Sequence, residues 1–464
     1  MEQKTFIQIT GKDIKSNLAN LTHLVFEVTD ACNLKLNSPK INFNKGGHAL
    51  LKTINNMSIY FILSALICCL TIIGCSPVSK ETTNDFTSEK LLSLDVNTIN
   101  SSEESVNLSE LMESIEIIRL DSNTDEAFTP IFRLAISENY IVTTCPPTYP
   151  VKLFSRKDGK FIRNLGSIGQ GPGEYQRVWS LTIDEKKNRV YLGQVYESDI
   201  YAYGLDGKYH PDENIRLPEN TQGKFRMYME KDNVIFLQAP YESYHSSKAS
   251  IEAAKYFCWL QDMRGNVIQH IPVTENFTIP FGSSDIWVSQ VKKEPSIYAI
   301  SMRLLLHTRP DTLYHYNTDT NQLYPVYTSN VKIDRHIATC SFETPSFYYT
   351  KQGFFQKGAS INPEFFKGYK IIQVDKKTGK GRYIRLFNDL FGGSKMDIDG
   401  AEIFTNLKDS YSFLCYHPLD LKSIIETNLK SQTNLSSESI KQLTQLKESL
   451  NEDDNDILVL FKFK

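Results

Sequence analysis

Five turn positions, Gly159, Gly207, Gly265, Asn321 and Gly379, follow one another at separations of 48, 58, 56 and 58 residues. Each divides an aromatic-rich run from a shorter outgoing run: 151–154 from 160–162, 199–203 from 208–209, 256–260 from 266–268, 311–316 from 322–323, and 369–374 from 380–381. Glycine and asparagine tolerate the positive φ of tight hairpins, so the recurrence marks one hairpin used five times. Another run of strand-forming residues precedes each hairpin, at 140–142, 190–192, 234–236, 297–299 and 347–349. The 24 Tyr and 26 Phe of the 464-residue chain suit pleated, half-buried surfaces. A sixth unit opens at 411–414 and ends at 457–461. The period exceeds the roughly 40–45 residues of WD-type blades, so each unit reads as four strands with longer loops.

One such unit cannot bury both its faces, and radial stacking removes exposed sheet edges only if the ring closes. The pattern therefore predicts an all-β fold over residues 105–464. The expected architecture is a six-bladed β-propeller of four-stranded antiparallel blades whose first and last segments share a blade. Ile115-Glu116-Ile117-Ile118-Arg119-Leu120 alternates like a strand and is expected beside 457–461. Residues 437–450 break the β pattern: Ile440, Leu443, Leu446 and Leu450 fall near one helical face, with Ser437 or Ser439 as the N-cap. This is a helical insertion in the last blade, either packed on the ring or lying on it as a solvated surface helix.

The stretch 159–166, GKFIRNLG, followed by Gly169-Gln170-Gly171-Pro172-Gly173-Glu174-Tyr175, resembles the signature of Bacteroidetes six-bladed β-propeller lipoproteins, which are similar to NHL repeats. Residues 181–184 through Asp206-Gly207 continue the NHL-like pattern, and 107–120, 311–314 and 456–460 fit the same family. The resemblance spans about residues 104–464 and implies a lipid-anchored propeller of the cell envelope.

The segment upstream carries an export signal. Residues 58–74, SIYFILSALICCLTIIG, contain no charge and fit a signal-peptide core, with Lys45 and Lys52 before them. Ile72-Ile73-Gly74-Cys75 resembles a lipobox, with Cys75 as the lipid attachment site in the span 57–75; an uncleaved signal anchor is the alternative. The polar, Ser/Thr-rich residues 76–104 read as a flexible tether. Residues 1–56 are anomalous. Within them, 21–35 resembles the start of radical SAM peptide maturases, whose CxxxCxxC loop holds a [4Fe–4S] cluster. Only Cys32 matches; Leu36 and Pro39 stand at the other two cysteine positions, so a cluster cannot be held. A fusion of reading frames, a gene remnant or a misassigned start accounts for this degenerate segment.

Motifs of chemistry are sparse. GQGPGEY lacks the Lys-Ser/Thr of a phosphate loop and the GxGxxG spacing of a dinucleotide loop, and reads as an interblade connection. Glu174 and Tyr175 remain able to face a ligand at the mouth. His210, His245, His270, His307, His315, His336 and His417 show no HxH or HExxH spacing, so they bind metal only if separate blades bring them together. Asp184, Asp199, Asp206, Asp311 and Asp375 suit turns. Tyr191, Tyr201, Tyr203, Tyr298 and Tyr348 suit blade packing, with a minority able to line a sugar- or peptide-binding mouth. Cys145, Cys258, Cys340 and Cys415 lie far apart and read as small hydrophobes. A net charge of -3 offers no global field for nucleic acid.

The functional expectation is a non-catalytic binding or scaffold module, without cofactor or metal. It would be lipid-anchored at a bacterial envelope, on the periplasmic or the surface face, and would present a protein, peptide or glycan partner with a loop-rich surface. A metal-dependent propeller hydrolase or lyase with carboxylates, Asn or His converging on the central channel is the alternative.

Overall fold

The computed structural model describes residues 7–10 and 91–464, apart from positions 146, 196, 220, 222–223 and 335 and the loops 241–243, 246–249, 252–253, 279–285, 291–295, 303–308, 358–365, 392–410 and 432–434. The run 58–74, the lipobox with Cys75 and the segment 21–35 lie outside the described residues.

Six antiparallel sheets of four strands form the ring. Blade 1 is Arg133–Ile136, Tyr140–Cys145, Tyr149–Ser155 and Phe161–Leu165. Blade 2 is Val178–Asp184, Arg189–Gln194, Asp199–Gly204 and Ile215–Arg216. Blade 3 is Phe225–Glu230, Asn233–Gln238, Tyr256–Gln261 and Val267–Pro272. Blade 4 is Ile286–Gln290, Ile297–Met302, Leu313–Asn317 and Gln322–Thr328. Blade 5 is Ile337–Glu343, Phe347–Phe355, Phe366–Asp375 and Gly381–Phe387. First strands of successive blades touch, blade 1 to blade 2 and blade 2 to blade 3, which places them on the inside of the ring.

Blade 6 is composite. Tyr411–Tyr416 pairs with Ile457–Phe463, which pairs with Met112–Arg119; Ile7–Thr10 lies on the far side of that strand. Val459 stands between Leu414 and Ile117, so the expected closure is present. Alternation then seals both neighbours. Leu458 and Leu460 join the core shared with Leu134, Ile141 and Phe154 of blade 1. Val459 and Phe461 join the core shared with Phe342, Tyr349 and Ile371 of blade 5.

The five recurring turns are where the repeat predicts, each between the third and fourth strands, with φ of 66° at Gly159, 84° at Gly207, 91° at Gly265, 51° at Asn321 and 69° at Gly379. Two of them separate backbone preference from available space. A Cβ on Gly379 would meet only Leu92 Cδ1 at 3.9 Å, whereas one on Gly159 would lie 1.9 Å from the carbonyl oxygen of Arg119. Gly379→Ala is thus expected to cost only the left-handed penalty of roughly 1–2 kcal/mol. Gly159→Ala must also push the closing strand away and is expected to cost clearly more. Urea denaturation of the two variants checks this, and equal losses would refute the steric account.

The stretch from 92 to 107 departs from the tether expected over 76–104. Leu92–Ser93 pairs in parallel with the outer strand of blade 4, and Glu103–Asn107 pairs in parallel with the outer strand of blade 5. Leu94 and Val106 are buried there. This strap supplies hydrogen bonds to two outer edges that would otherwise be open. A single helical turn, Leu108–Leu111, then directs the chain into blade 6.

Between the first two strands of blade 6 lie two helices, α1 (Pro418–Ser431) and α2 (Ser437–Ser449). The N-cap of α2 is Ser436, not Ser437 or Ser439: its hydroxyl accepts from Ser439 N at 3.0 Å. Leu443, Leu446 and Leu450 are buried in the core of blades 5 and 6, so the helix is packed on the ring; Ile440, expected on the same face, is 42% exposed. Helix α1 was not expected. Its Leu421 and Ile425 are fully buried, and Asn428 Nδ2 donates to Phe391 O at 2.9 Å on the connection between blades 5 and 6.

Candidate functional site

Antiparallel order puts the turns between strands one and two and between strands three and four on one face of the ring. The other face carries the turns between strands two and three and the connections between blades. The GQGPGEY segment is such a connection, running from blade 1 to blade 2. Its Tyr175 is buried; the hydroxyl accepts from Val151 N at 2.8 Å and donates to Leu165 O at 2.5 Å. Glu174 turns inward, accepting from Gly171 N at 2.8 Å and from Ser167 Oγ at 3.3 Å. The Tyr203 hydroxyl donates to Gly173 O. Glu174 braces its own loop, whereas Tyr175 joins that loop to blade 1 by its hydroxyl and meets Tyr203 of blade 2 edge-on.

Among the described residues the histidines do not converge. His210 lies 3.6 Å from Glu213, His270 packs on Tyr256 with ring centres 4.4 Å apart, and His315 is buried between blades 4 and 5; the side chains of His245 and His307 lie outside the described residues. Among the described residues no group of three His, Cys, Asp or Glu side chains is arranged to hold a metal ion. Asp184, Asp206 and Asp375 accept backbone N–H groups of their own turns. Asp311 sits at a turn as expected, but it is fully buried there, bound twice by Arg309 at 2.9 and 3.0 Å and reached by the hydroxyls of Thr328 and Ser329. Tyr191, Tyr203 and Tyr298 are buried, and Tyr348 stacks on Tyr327 with ring centres 4.9 Å apart. Cys145, Cys258 and Cys340 are buried free thiols, and burial pushes the Cys258 thiol well up.

Two buried ionic groups are internal braces. Lys152 donates to Glu126 O and to Asn164 Oδ1 at 3.1 Å, and burial lowers its pKa. Glu343, at the end of the first strand of blade 5, meets His315 Nε2 of blade 4 at 2.6 Å and Lys376 Nζ on the last turn of blade 5. Burial alone would raise this carboxyl; the charges and hydrogen bonds of His315 and Lys376 outweigh it and bring it down to about 2.

A third cluster has the character of a binding site. It lies where the inner strands of blades 1, 2 and 3 begin, on the connection face. The Arg133 guanidinium carbon sits 4.8 Å from the Trp179 ring centre, and Lys224 Nζ sits 5.0 Å from the same centre. Phe132 meets Trp179 edge-on with centres 5.4 Å apart and also carries Arg133 at 4.8 Å. All four side chains are partly buried. The Trp179 Nε1–H is buried without a hydrogen-bond partner, an arrangement that costs about 1–3 kcal/mol when left unmade. Each cation gains roughly 0.5–2 kcal/mol from the ring. Residues 133, 179 and 224 were not singled out in the sequence. Their separations, 179 − 133 = 46 and 224 − 179 = 45, approach the first blade period of 48. Superposing repeats on that period would have drawn attention to three leading ends of inner strands carrying two cations and a tryptophan.

The profile of the family described as domain of unknown function DUF4934 matches residues 91–462, which are the strap and the whole ring. Among solved structures, one from Bacteroides fragilis NCTC 9343, a protein whose assigned name marks it as exported, aligns with a TM-score of 0.50 at 16% identity. That alignment covers 81% of this chain and 100% of the other. A member of the DUF4221 family from Bacteroides vulgatus ATCC 8482 aligns with a TM-score of 0.43 at 11% identity over 76% of this chain and 97% of the other. No curated protein matches the sequence. Among the described residues no helix is long and apolar enough to cross a membrane.

Proposed function

The chain belongs to the DUF4934 family, and from that premise we propose that it is a non-catalytic binding module of the bacterial cell envelope, held to a membrane by lipid on Cys75. Its ring presents the connection face, with its cation–aromatic cluster, to a protein, peptide or glycan partner. The observation that carries the reading is the meeting of Arg133 and Lys224 on Trp179, from three different blades, at the leading ends of inner strands. The charge-free run 58–74 and the Ile72-Ile73-Gly74-Cys75 sequence support export and anchoring. A diacylglycerol anchor holds by its buried methylenes, so the ring itself need not touch the bilayer.

Chemical cross-linking in intact cells separates the two parts of the proposal. Cys75→Ala is expected to move the protein from the membrane to the soluble fraction and to abolish incorporation of labelled fatty acid. Arg133→Glu combined with Lys224→Glu is expected to leave fractionation unchanged and to remove the cross-linked partner. Membrane retention of Cys75→Ala would defeat the anchor; an undiminished cross-link in the double variant would defeat the mouth.

A further inference from the structure

We infer that the outer flank of Met112–Arg119 in blade 6 is a docking site for an extended strand of another protein. The inference rests on the export and cleavage reading above. Ile7–Thr10 covers that flank, and among the described strands it alone lies upstream of the signal core 58–74. Cleavage before Cys75 removes it with the leader, so the exported chain supplies three strands of this blade and not a fourth. What is left at the edge has the residues of an interior strand. Met112, Ile115, Ile117 and Ile118 are all buried, and the run contains neither Pro nor Lys. The outermost strands of blades 1 and 3 differ: Phe161–Leu165 buries only Leu165, and Val267–Pro272 buries only Ile271 and ends on Pro. A long, apolar, unprotected edge is a template for another chain.

The strand seated there shows what fits. It runs antiparallel, with Ile7 opposite Ile117, Gln8 opposite Glu116, Ile9 opposite Ile115 and Thr10 opposite Ser114. The apolar positions thus face Ile115 and Ile117, which belong to the core shared with blade 5. Glu116 is held by Arg156 of blade 1 at 2.7 Å, so an uncharged polar residue suffices opposite it. The occupant is a segment in which β-branched apolar residues alternate with uncharged polar ones, joined through main-chain hydrogen bonds. A second copy of the same edge matches poorly. The two-fold register that sets Ile115 against Ile117 also sets Glu116 against Glu116, and the one centred on Ile115 sets Glu113 against Ile117. The chain's own tether matches no better: apart from Pro77, residues 76–90 hold only Val78 and Phe86 as apolar residues.

The test uses the protein purified from membranes in detergent and a fluorescent peptide copying residues 4–11. Intact mass first reads the N-terminus: a chain that retains residues 1–74 defeats the cleavage reading and this inference with it. With Cys75 at the N-terminus, fluorescence anisotropy is expected to show saturable binding, weakened about tenfold or more when Gln8 and Ile9 of the peptide are both replaced by proline. Register gives a second readout, because residues directly opposite one another lie within reach of a disulfide. Protein Ser114→Cys is expected to cross-link to peptide Thr10→Cys and not to peptide Ile7→Cys; the unsubstituted protein sets the background. Absence of binding by the cleaved chain, equal binding of the diproline peptide, or cross-linking indifferent to register overturns the inference and leaves cleavage intact. A dimer that the peptide dissociates would assign the edge to a second copy, and binding that appears only after deletion of 76–90 would assign it to the tether; either overturns the inference.

Discussion

A chain ending at Asp456 is expected not to fold. The truncation removes Ile457, Leu458, Val459, Leu460 and Phe461, all fully buried, and Phe463, which is nearly so. At roughly 1.5–3 kcal/mol for each buried side chain, the loss is on the order of 10 kcal/mol. That matches the whole net stability of an ordinary domain, about 5–15 kcal/mol. The geometry makes the loss worse. Among the described residues this strand is the link in blade 6 between Tyr411–Tyr416 and Met112–Arg119, and its two faces seal the cores toward blade 1 and blade 5. Without it the ring is open and two inner edges face water. The expected result is loss of the cooperative thermal transition and rapid trypsin digestion. Leu460→Ala, which deletes part of one side chain and leaves the strand, is expected to cost about 2–5 kcal/mol and to remain folded. A truncated chain that melts like the full one would show that closure does not hold the ring.

Glu343→Gln is expected to be the most damaging single polar substitution. Glu343 is 3% exposed and bound by both His315 and Lys376, one from the neighbouring blade and one from its own. Removing the anion leaves the Lys376 ammonium and the His315 ring facing a neutral amide in a buried interface, a change of about 3–5 kcal/mol at neutral pH. The pH dependence has a definite sign. The folded-state pKa, about 2, lies below the ordinary 4.5 of the unfolded chain. The stabilisation is therefore complete above about pH 5 and disappears as pH falls through the interval down to about 2. The difference between wild type and Glu343→Gln should be largest at pH 7 and should shrink steadily between pH 5 and pH 2. Urea midpoints at pH 7, 4 and 3 measure it. A difference that stays constant across that range would mean that the carboxylate charge is not what joins blades 4 and 5.

Much of the architecture was legible because a hairpin declares itself locally. Gly159, Gly207, Gly265, Asn321 and Gly379 need positive φ, and few residues other than Gly and Asn accept it, so the turns and their period survive in the residue types alone. The closing strand was legible because 115–120 and 457–461 both alternate for a two-sided core. Helix α1 was missed although Leu421, Ile424, Ile425 and Leu429 keep helical spacing and polar Lys422, Ser423, Glu426 and Thr427 fill the opposite face, so this amphipathic signal was present in the sequence. The strap was misread for a different reason. Residues 92–107 are polar because only one flank of an outermost strand is covered, and a docked edge strand then has the composition of a free tether.

Turn chemistry and strand alternation are properties of neighbours along the chain, and the sequence by itself determined them: five hairpin units and a sixth composite one, their order, and the need for the two ends to meet. Which side chains of different units come together was decided only by the tertiary structure. Arg133, Trp179 and Lys224 meet, as do His315, Glu343 and Lys376, because a closed ring sets the stagger and tilt of each blade against the next. That stagger comes from packing across all the blade interfaces at once, and no local run of residues encodes it.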